Sequence, residues 1–338
     1  MVNQLETETS RIAALKAWLS AQLGGLSFAL APASSDAGFR RYFRASFANE
    51  TRIVMDAPPD KEDCRPFLRV AQLMRAAGVH VPAVYATDVD QGFLLLSDMG
   101  PTTYLQALTT GNADDLFRAA TDALVRWQLA SRPDVLPPYD EILLRRELNL
   151  FPEWYIGRHR GFTLGEAQKQ ALDAVFALVV ASNLAQSSVY VHRDYMPRNL
   201  MYCEPNPGVL DFQDAVYGPI TYDVASLFKD AFISWPEERV LDWAIRYWEK
   251  AKRAHLPVNG DFGEFYRDME WMGLQRHLKV LGIFARLSYR DGKPHYLTDT
   301  PRFVKYVRDV AARYNGLAPL LRLLDDVEGT QRVVGYTF

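Results

Sequence analysis

The hydrophobic pattern of this 338-residue chain changes period at Gly100-Pro101, and that change limits the folds open to it. Before it, LSFAL, RRYFRASF, RIVMDA, VPAVYATD and GFLLLSD, between residues 26 and 98, are spaced by turn residues as five short strands. Pro58-Pro59 breaks the third strand from a helix at about 62–77, with Leu68, Leu73 and Met74 as apolar positions and Gly78 as its stop. An amphipathic helix over 5–23 precedes the strands, carries Leu5, Ile12, Leu15, Leu19 and Leu23, and ends at Gly24-Gly25. After the change, helical spacing predicts helices near 102–109, 113–130, 140–151, 165–186, 222–233, 236–254, 261–287 and 301–313. In 165–186, Thr163 and Glu166 fit a capping box, and Leu172, Val175, Phe176, Val179 and Val180 form one apolar stripe. The expected fold class is α+β: a small N-terminal β-rich lobe with one inserted helix over 1–97, a connector at 98–103, and a larger helical lobe over 104–338.

Composition narrows the function classes. Hydrophobic residues make up 49% and charged residues 23%, which is globular, and the net charge of −3 gives no reason to expect a nucleic-acid partner. Two cysteines, Cys64 and Cys203, are too few for a disulfide framework and are expected as reduced thiols. No apolar run approaches the roughly 20 residues a membrane span needs, and the polar, acidic start MVNQLETETS does not read as a signal peptide. The expectation is a cytoplasmic protein with neither a membrane nor a nucleic-acid partner.

The core helix at 165–186 delivers the chain to VHRDYMPRNL, 191–200, and VLDFQD follows at 209–214. Asp194 and Asn199 put two hard oxygen donors on one loop, and Asp211 adds a third beyond LMY and GVL, which read as a short hairpin. Phosphoryl transfer needs a positioned acceptor hydroxyl, a group to take its proton, and metal ions to neutralise phosphate charge. Mg²⁺ prefers such oxygens and fills its shell with water and phosphate. Asp and Asn also serve turns through local backbone bonds, so the order and spacing of the clusters carry more than either alone.

The run VHRDYMPRNLMY…GVLDFQDAVYGPITYDVASL resembles the catalytic core of the aminoglycoside phosphotransferase and choline kinase superfamily, relatives of protein kinases, with its H-x-D-x-x-x-x-N and [ILV]-D-[FW]-x-x-[AS] pattern. GFRRYFR, VMDAPPDKEDCRPFLRVA, RRELNLFPEWY and LQRHLKVLGIFARL resemble the bacterial anomeric sugar kinases that act on N-acetylmuramate and N-acetylglucosamine in cell-wall recycling. The resemblance runs from about residue 20 to beyond 320. It implies a bilobal, protein-kinase-like fold, ATP and Mg²⁺ as cofactors, and a small amino sugar as substrate. Asp194 would accept the proton of the sugar hydroxyl, and Asn199 and Asp211 would bind Mg²⁺. His192 would hold the loop, Asp223 would cap and anchor the following helix, and Asp214 stands between a supporting role and substrate contact.

For the nucleotide, SSDAGF with Gly38 resembles a phosphate-covering loop, and LLLSDMG the adenine-binding connector, with the carbonyl of Ser97 and the N–H of Met99 as its bonding groups. One departure stands out: kinase-like folds place a lysine on the third strand, and RIVMDA has Met55 there. Strand alternation puts Tyr42 and Arg44 on one face and Arg41 and Phe43 on the other. Arg44, and after it Arg40, are therefore candidates for the phosphate cation, while Glu62 and Asp63 lose the lysine they would pair with.

For the acceptor, nine Lys/Arg against three Asp lie between Trp271 and Arg313, with Arg276, His277, Lys279 and Arg286 in one helix. Such a lobe suits an anionic acceptor such as the lactyl carboxylate of N-acetylmuramate better than a polycationic aminoglycoside, though charge runs also form solvated faces. Trp154 and Tyr155 are candidates to stack on a sugar, and Glu147 to bond its hydroxyls. Two other readings stay open: an aminoglycoside or other small-alcohol phosphotransferase with the same acids, and a non-catalytic nucleotide-binding regulator, for which Met55 is the best argument.

Overall fold

The computed structural model describes the backbone of residues 2–34 and 39–329 and the side chains of 10–33 and 39–329. It divides into two compact units, residues 1–107 with 199–214, and residues 108–198 with 215–338. The segment 199–214, which carries Asn199 and Asp211, thus belongs with the strands, whereas the sequence places it in the helical part.

In the first unit, helix α1 (Val2–Gln22) ends where Gly24 and Gly25 take left-handed φ of 63° and 80°. Five antiparallel strands follow: β1 (Ala29–Ser34), β2 (Arg41–Phe47), β3 (Glu50–Asp56), β4 (Val84–Asp88) and β5 (Phe93–Ser97), in the order β1-β2-β3-β5-β4. Helix α2 (Arg65–Ala76) lies between β3 and β4 in sequence, with Pro66 in its first turn. It begins three residues later than the spacing suggests. Register aligns Phe43, Val54 and Leu95 across three strands, and they pack with Leu15 and Leu19 of α1. Each fully buried side chain of this size contributes roughly 1.5–3 kcal/mol. The other face carries Tyr42, Met55 and Leu94 in register, then Arg44, Ile53 and Leu96. At the rim, buried Asp56 accepts from Arg11 Nε at 2.7 Å and Arg41 Nε at 3.0 Å. Helix α3 (Tyr104–Ala107) and the antiparallel pair Leu200–Met201 with Gly208–Val209 complete this unit, the pair being the expected hairpin.

The second unit is helical: α4 (Ala113–Leu129), α5 (Glu141–Leu148), a wide π-type segment (Phe151–His159), α6 (Glu166–Leu184), α7 (Tyr222–Phe228), α8 (Glu237–Arg253), α9 (Phe262–Tyr289), α10 (Thr300–Arg313) and α11 (Ala318–Glu328). Strands Ser188–Val191 and Val216–Pro219 pair between α6 and α7. Helix α6 is not capped by Thr163 and Glu166: Gly165 is the N-cap, and its N–H donates to Gln168 Oε1 at 3.0 Å. Helix α9 runs through the unit, and Gly282 lets its backbone meet Leu150, because a Cβ there would stand 2.4 Å from the Leu150 carbonyl oxygen. Neither the π-type segment nor α11 is legible in the spacing. Cys64 and Cys203 are free, and no described helix is long and apolar enough to cross a membrane.

Candidate active site

The acids of VLDFQD belong to the first unit. Phe212 is fully buried and packs on Phe67 of α2, ring centroids 4.8 Å apart, which fixes the backbone on either side of it. Asp211 just before it takes a left-handed φ of 62°, a conformation Asp tolerates better than most residues. Its carboxylate accepts from Asn199 Nδ2 at 3.3 Å and Gln213 Nε2 at 2.9 Å. The Leu210 N–H donates to the Asn199 carbonyl at 2.9 Å, so backbone and side chain both tie the two loops together. Asp211 and Asn199 are therefore neighbours, as the sequence suggests. Asp214 is exposed and stands 3.4 Å from Gln213 Nε2.

A cation stands beside this set. Arg40 stands just before β2, and its Nη2 is 3.9 Å from Asp211 Oδ1. Burial works against its charge, but Tyr42, Asp211, Glu62 and Asp214 outweigh that and raise its affinity for the proton. Glu62 is thus one of the acids whose charge acts on Arg40. Arg44 is committed elsewhere: Nε donates to Asp98 at 2.6 Å, and Nη2 to Asp98 at 3.1 Å and to the Gly100 carbonyl at 3.2 Å. The Gly100 N–H also donates to Asp98 at 2.9 Å. Burial raises the Asp98 carboxyl, but the bonds from Arg44 and Gly100 hold it below the usual carboxylate range. Arg44 is thus a clamp on the 98–100 connector, holding Asp98 and the Gly100 carbonyl together, which strand alternation alone does not reveal. The Ser97 hydroxyl accepts from Ala83 N at 2.9 Å, and Met99 is buried over Gly208. Met55 is fully buried. Gly38 and most of SSDAGF lie outside the described residues.

Asp194 belongs to the second unit and is half-buried on the loop after Val191. That loop is held by Asp223, which does not cap its own helix: it accepts the N–H groups of His192 at 2.7 Å and Arg193 at 3.0 Å. Arg193 can therefore hold a left-handed φ of 76°. His192, fully buried, accepts the Asp194 N–H at Nδ1, 3.2 Å. Burial pushes the Asp223 carboxyl up to about 7, against the pull of the two N–H bonds.

The acceptor candidates fare unevenly. Glu147 is buried, and its carboxylate accepts from Arg193, Tyr139, Lys279 at 3.1 Å and Gln275 at 3.1 Å. A carboxylate has about four acceptor positions, so no place is left for a sugar hydroxyl. Burial would raise Glu147, but Lys279, Arg193, Tyr139 and Gln275 draw it down to about 2. Its office is structural: it anchors Arg193, next to Asp194. Lys279 is spent on the same cluster. Arg276 is 2% exposed, with Nη2 3.8 Å from Met196 Sδ, and His277 is packed on Phe303 and Tyr306. The basic stripe of α9 is thus largely interior rather than an open anion-binding face. Tyr155 is buried and donates to Glu328 at 2.8 Å; Trp154 beside it is half-buried.

A divalent cation with hard oxygen ligands fits the first-unit set. The donors are one carboxylate and two side-chain amides, and Gln213 Oε1 is buried without a hydrogen-bond partner among the described residues. Mg²⁺ takes one or two carboxylates and leaves the rest of its shell to other oxygens. Gln213 escapes sequence reasoning because a lone glutamine carries no motif.

Comparison with known proteins agrees with this chemistry. The profile of the Phosphotransferase enzyme family matches residues 29–258. An N-acetylmuramate/N-acetylglucosamine kinase of Pseudomonas aeruginosa is 53% identical over 328 residues, covering 94% of this chain and 97% of its own. A protein of the same description from Pseudomonas putida is 51% identical over 332 residues, covering 95% and 98%. Among solved structures, the ADP-bound aminoglycoside phosphotransferase APH(2'')-Ib shares the fold, with a TM-score of 0.58, 16% identity, and coverage of 87% of this chain and 97% of that one.

Proposed function

This chain belongs to the phosphotransferase enzyme family, and from that membership we propose that it is an ATP- and Mg²⁺-dependent sugar kinase that phosphorylates the anomeric hydroxyl of N-acetylmuramate and N-acetylglucosamine. One observation carries the acceptor assignment: relatives described as kinases of those two sugars match at about half identity along nearly the whole chain. The reaction suits the recycling of cell-wall amino sugars, since a sugar 1-phosphate is the form that a nucleotidyl transfer consumes.

The residues divide the work. Asp194 orients the C1 hydroxyl and takes its proton as the oxygen attacks the γ-phosphorus in line; the bond to the β–γ bridging oxygen breaks and ADP leaves. Asp223 and Glu147 act through position, holding the backbone and side chain of the residues just before Asp194. Asn199 and Asp211 would hold Mg²⁺, which when bound neutralises phosphate charge. Arg40 replaces the strand lysine, because its guanidinium can bridge two phosphate oxygens and it stands beside Asp211. Arg44 keeps the 98–100 connector in shape for the adenine edge, where Ser97 and Met99 offer backbone groups. Trp154 remains the candidate for stacking on the sugar.

ADP release with Mg²⁺-ATP and a panel of N-acetylmuramate, N-acetylglucosamine, glucose, choline and kanamycin tests this. Turnover of the first two is expected. Turnover of kanamycin alone would move the chain to antibiotic phosphorylation.

A further inference from the structure

Resting on that kinase reading, we propose that Gln213 is a third protein ligand of the metal, through its side-chain oxygen, and that the site is a carboxylate flanked by two reversible amides. Three observations carry it. Gln213 Oε1 is buried and has no hydrogen-bond partner among the described residues. A buried carbonyl left unsatisfied costs about 1–3 kcal/mol, so no hydrogen bond holds the oxygen in its present place against half a turn of the amide. Gln213 Nε2 lies 2.9 Å from Asp211 Oδ1, on the same carboxylate that Asn199 Nδ2 approaches at 3.3 Å from the other oxygen. The third is positional: Phe212 between them is locked against Phe67, and Asp211 is held at a left-handed φ, so both carboxylate and amide project from a fixed backbone.

The chemistry follows from the amide's geometry. Its terminal torsion is close to two-fold, so half a turn exchanges nitrogen and oxygen at nearly the same place. Turned so, the Gln213 oxygen stands where its nitrogen now is, 2.9 Å from Asp211 Oδ1. Neighbouring oxygens around Mg²⁺, with bonds of about 2.0–2.1 Å, are about 3 Å apart. The same rotation at Asn199 brings its oxygen to the other carboxylate oxygen. Each amide thus serves Asp211 as a donor in one orientation and the cation as an acceptor in the other, with no backbone movement.

The test is Mn²⁺ affinity, followed by electron paramagnetic resonance of free Mn²⁺ in the presence of ADP, for the parent chain, Gln213→Leu, Gln213→Glu and Asp211→Asn. Loss of a metal-bound oxygen should weaken Mn²⁺ roughly 10-fold or more in Gln213→Leu, the scale seen when even supporting groups are lost. Gln213→Glu, which keeps an oxygen and adds charge, should bind at least as tightly as the parent. ADP affinity in EDTA should be the same in the parent and both Gln213 variants. Parent-like Mn²⁺ affinity in Gln213→Leu, or weakened affinity in Gln213→Glu, overturns the proposal. If either occurs while Asp211→Asn still loses Mn²⁺, the kinase reading stands without Gln213; if Asp211→Asn also binds as the parent does, the metal assignment beneath it falls too.

Discussion

The carboxylate of Asp223 holds the backbone N–H of Arg193 at 3.0 Å, one residue before Asp194, and in doing so fixes a left-handed turn that only a tied loop keeps. Its other oxygen holds His192 N at 2.7 Å. Asp223→Ala would leave two N–H groups without their acceptor, at about 1–3 kcal/mol each where burial denies them water. The expected outcome is a lower melting temperature together with a lower kcat. Thermal melts and steady-state kinetics on one preparation check it; an unchanged melting temperature would mean the tie is not what orders the loop.

Asp194 should separate from Asp223 on that same comparison. Asp194→Asn keeps the size and removes the base, so kcat should fall by about 10²–10⁴-fold, the usual worth of general-base catalysis. Melting temperature and ATP affinity, by calorimetry, should stay near the parent's. Near-normal turnover would remove the base assignment.

Arg40 and Arg44 should differ in kind. Arg40→Leu removes the cation beside Asp211 and should lower kcat/KM for ATP by about 10²-fold, the scale of losing one preorganised charge partner of the transition state. Arg44→Leu frees Asp98 and the Gly100 carbonyl, so it should raise KM for ATP with a smaller effect on kcat. The reverse pattern would return the phosphate role to Arg44.

Glu147 makes a pH prediction. Its carboxyl lies at about 2 in the folded chain against 4.5 ordinarily, so the native state binds fewer protons than the unfolded one between those values. The stability it contributes is full above about pH 4.5 and is lost as pH falls toward 2. Asp223 has the opposite sign: raised to about 7, it favours the fold most below its ordinary 3.8 and loses that contribution as pH rises to about 7. Comparing the parent with Glu147→Gln isolates the first effect, since Asp223 is common to both. Urea unfolding from pH 6 to 2.5 should show the parent's advantage shrinking below pH 4.5; a constant difference would contradict the assignment. Glu147→Ala, leaving Lys279 and Arg193 without their shared partner, should cost about 3–5 kcal/mol at neutral pH.

What was legible in the chain, and what was not, follows distance along it. Asn199 and Asp211 are twelve residues apart, joined by a two-stranded hairpin, so spacing alone predicts that they meet. Period-two alternation puts Tyr42 and Arg44 on one face, and the register shows Met55 on that face with them. The sequence ranks Arg44 ahead of Arg40, because Arg44's partner Asp98 is 54 residues away and does not show in the alternation. Glu147 looked like a polar group for a sugar; its partners at 193, 275 and 279 come from other helices and loops, and only the packing shows that they consume it. The basic residues of α9 mislead for the same reason, since the helix is buried on every side from Met272 to Gly282, which puts Arg276 and His277 inside. The π-type segment 151–159 escaped because its wider turn breaks the 3.6-residue period on which helix recognition depends.

The most direct measurement is phosphorus NMR of the product formed from Mg²⁺-ATP and N-acetylmuramate. A new phosphate ester resonance coupled to the sugar's H1 is predicted, with the same result for N-acetylglucosamine. An ester on any other hydroxyl, or product from kanamycin but from neither sugar, would contradict the account.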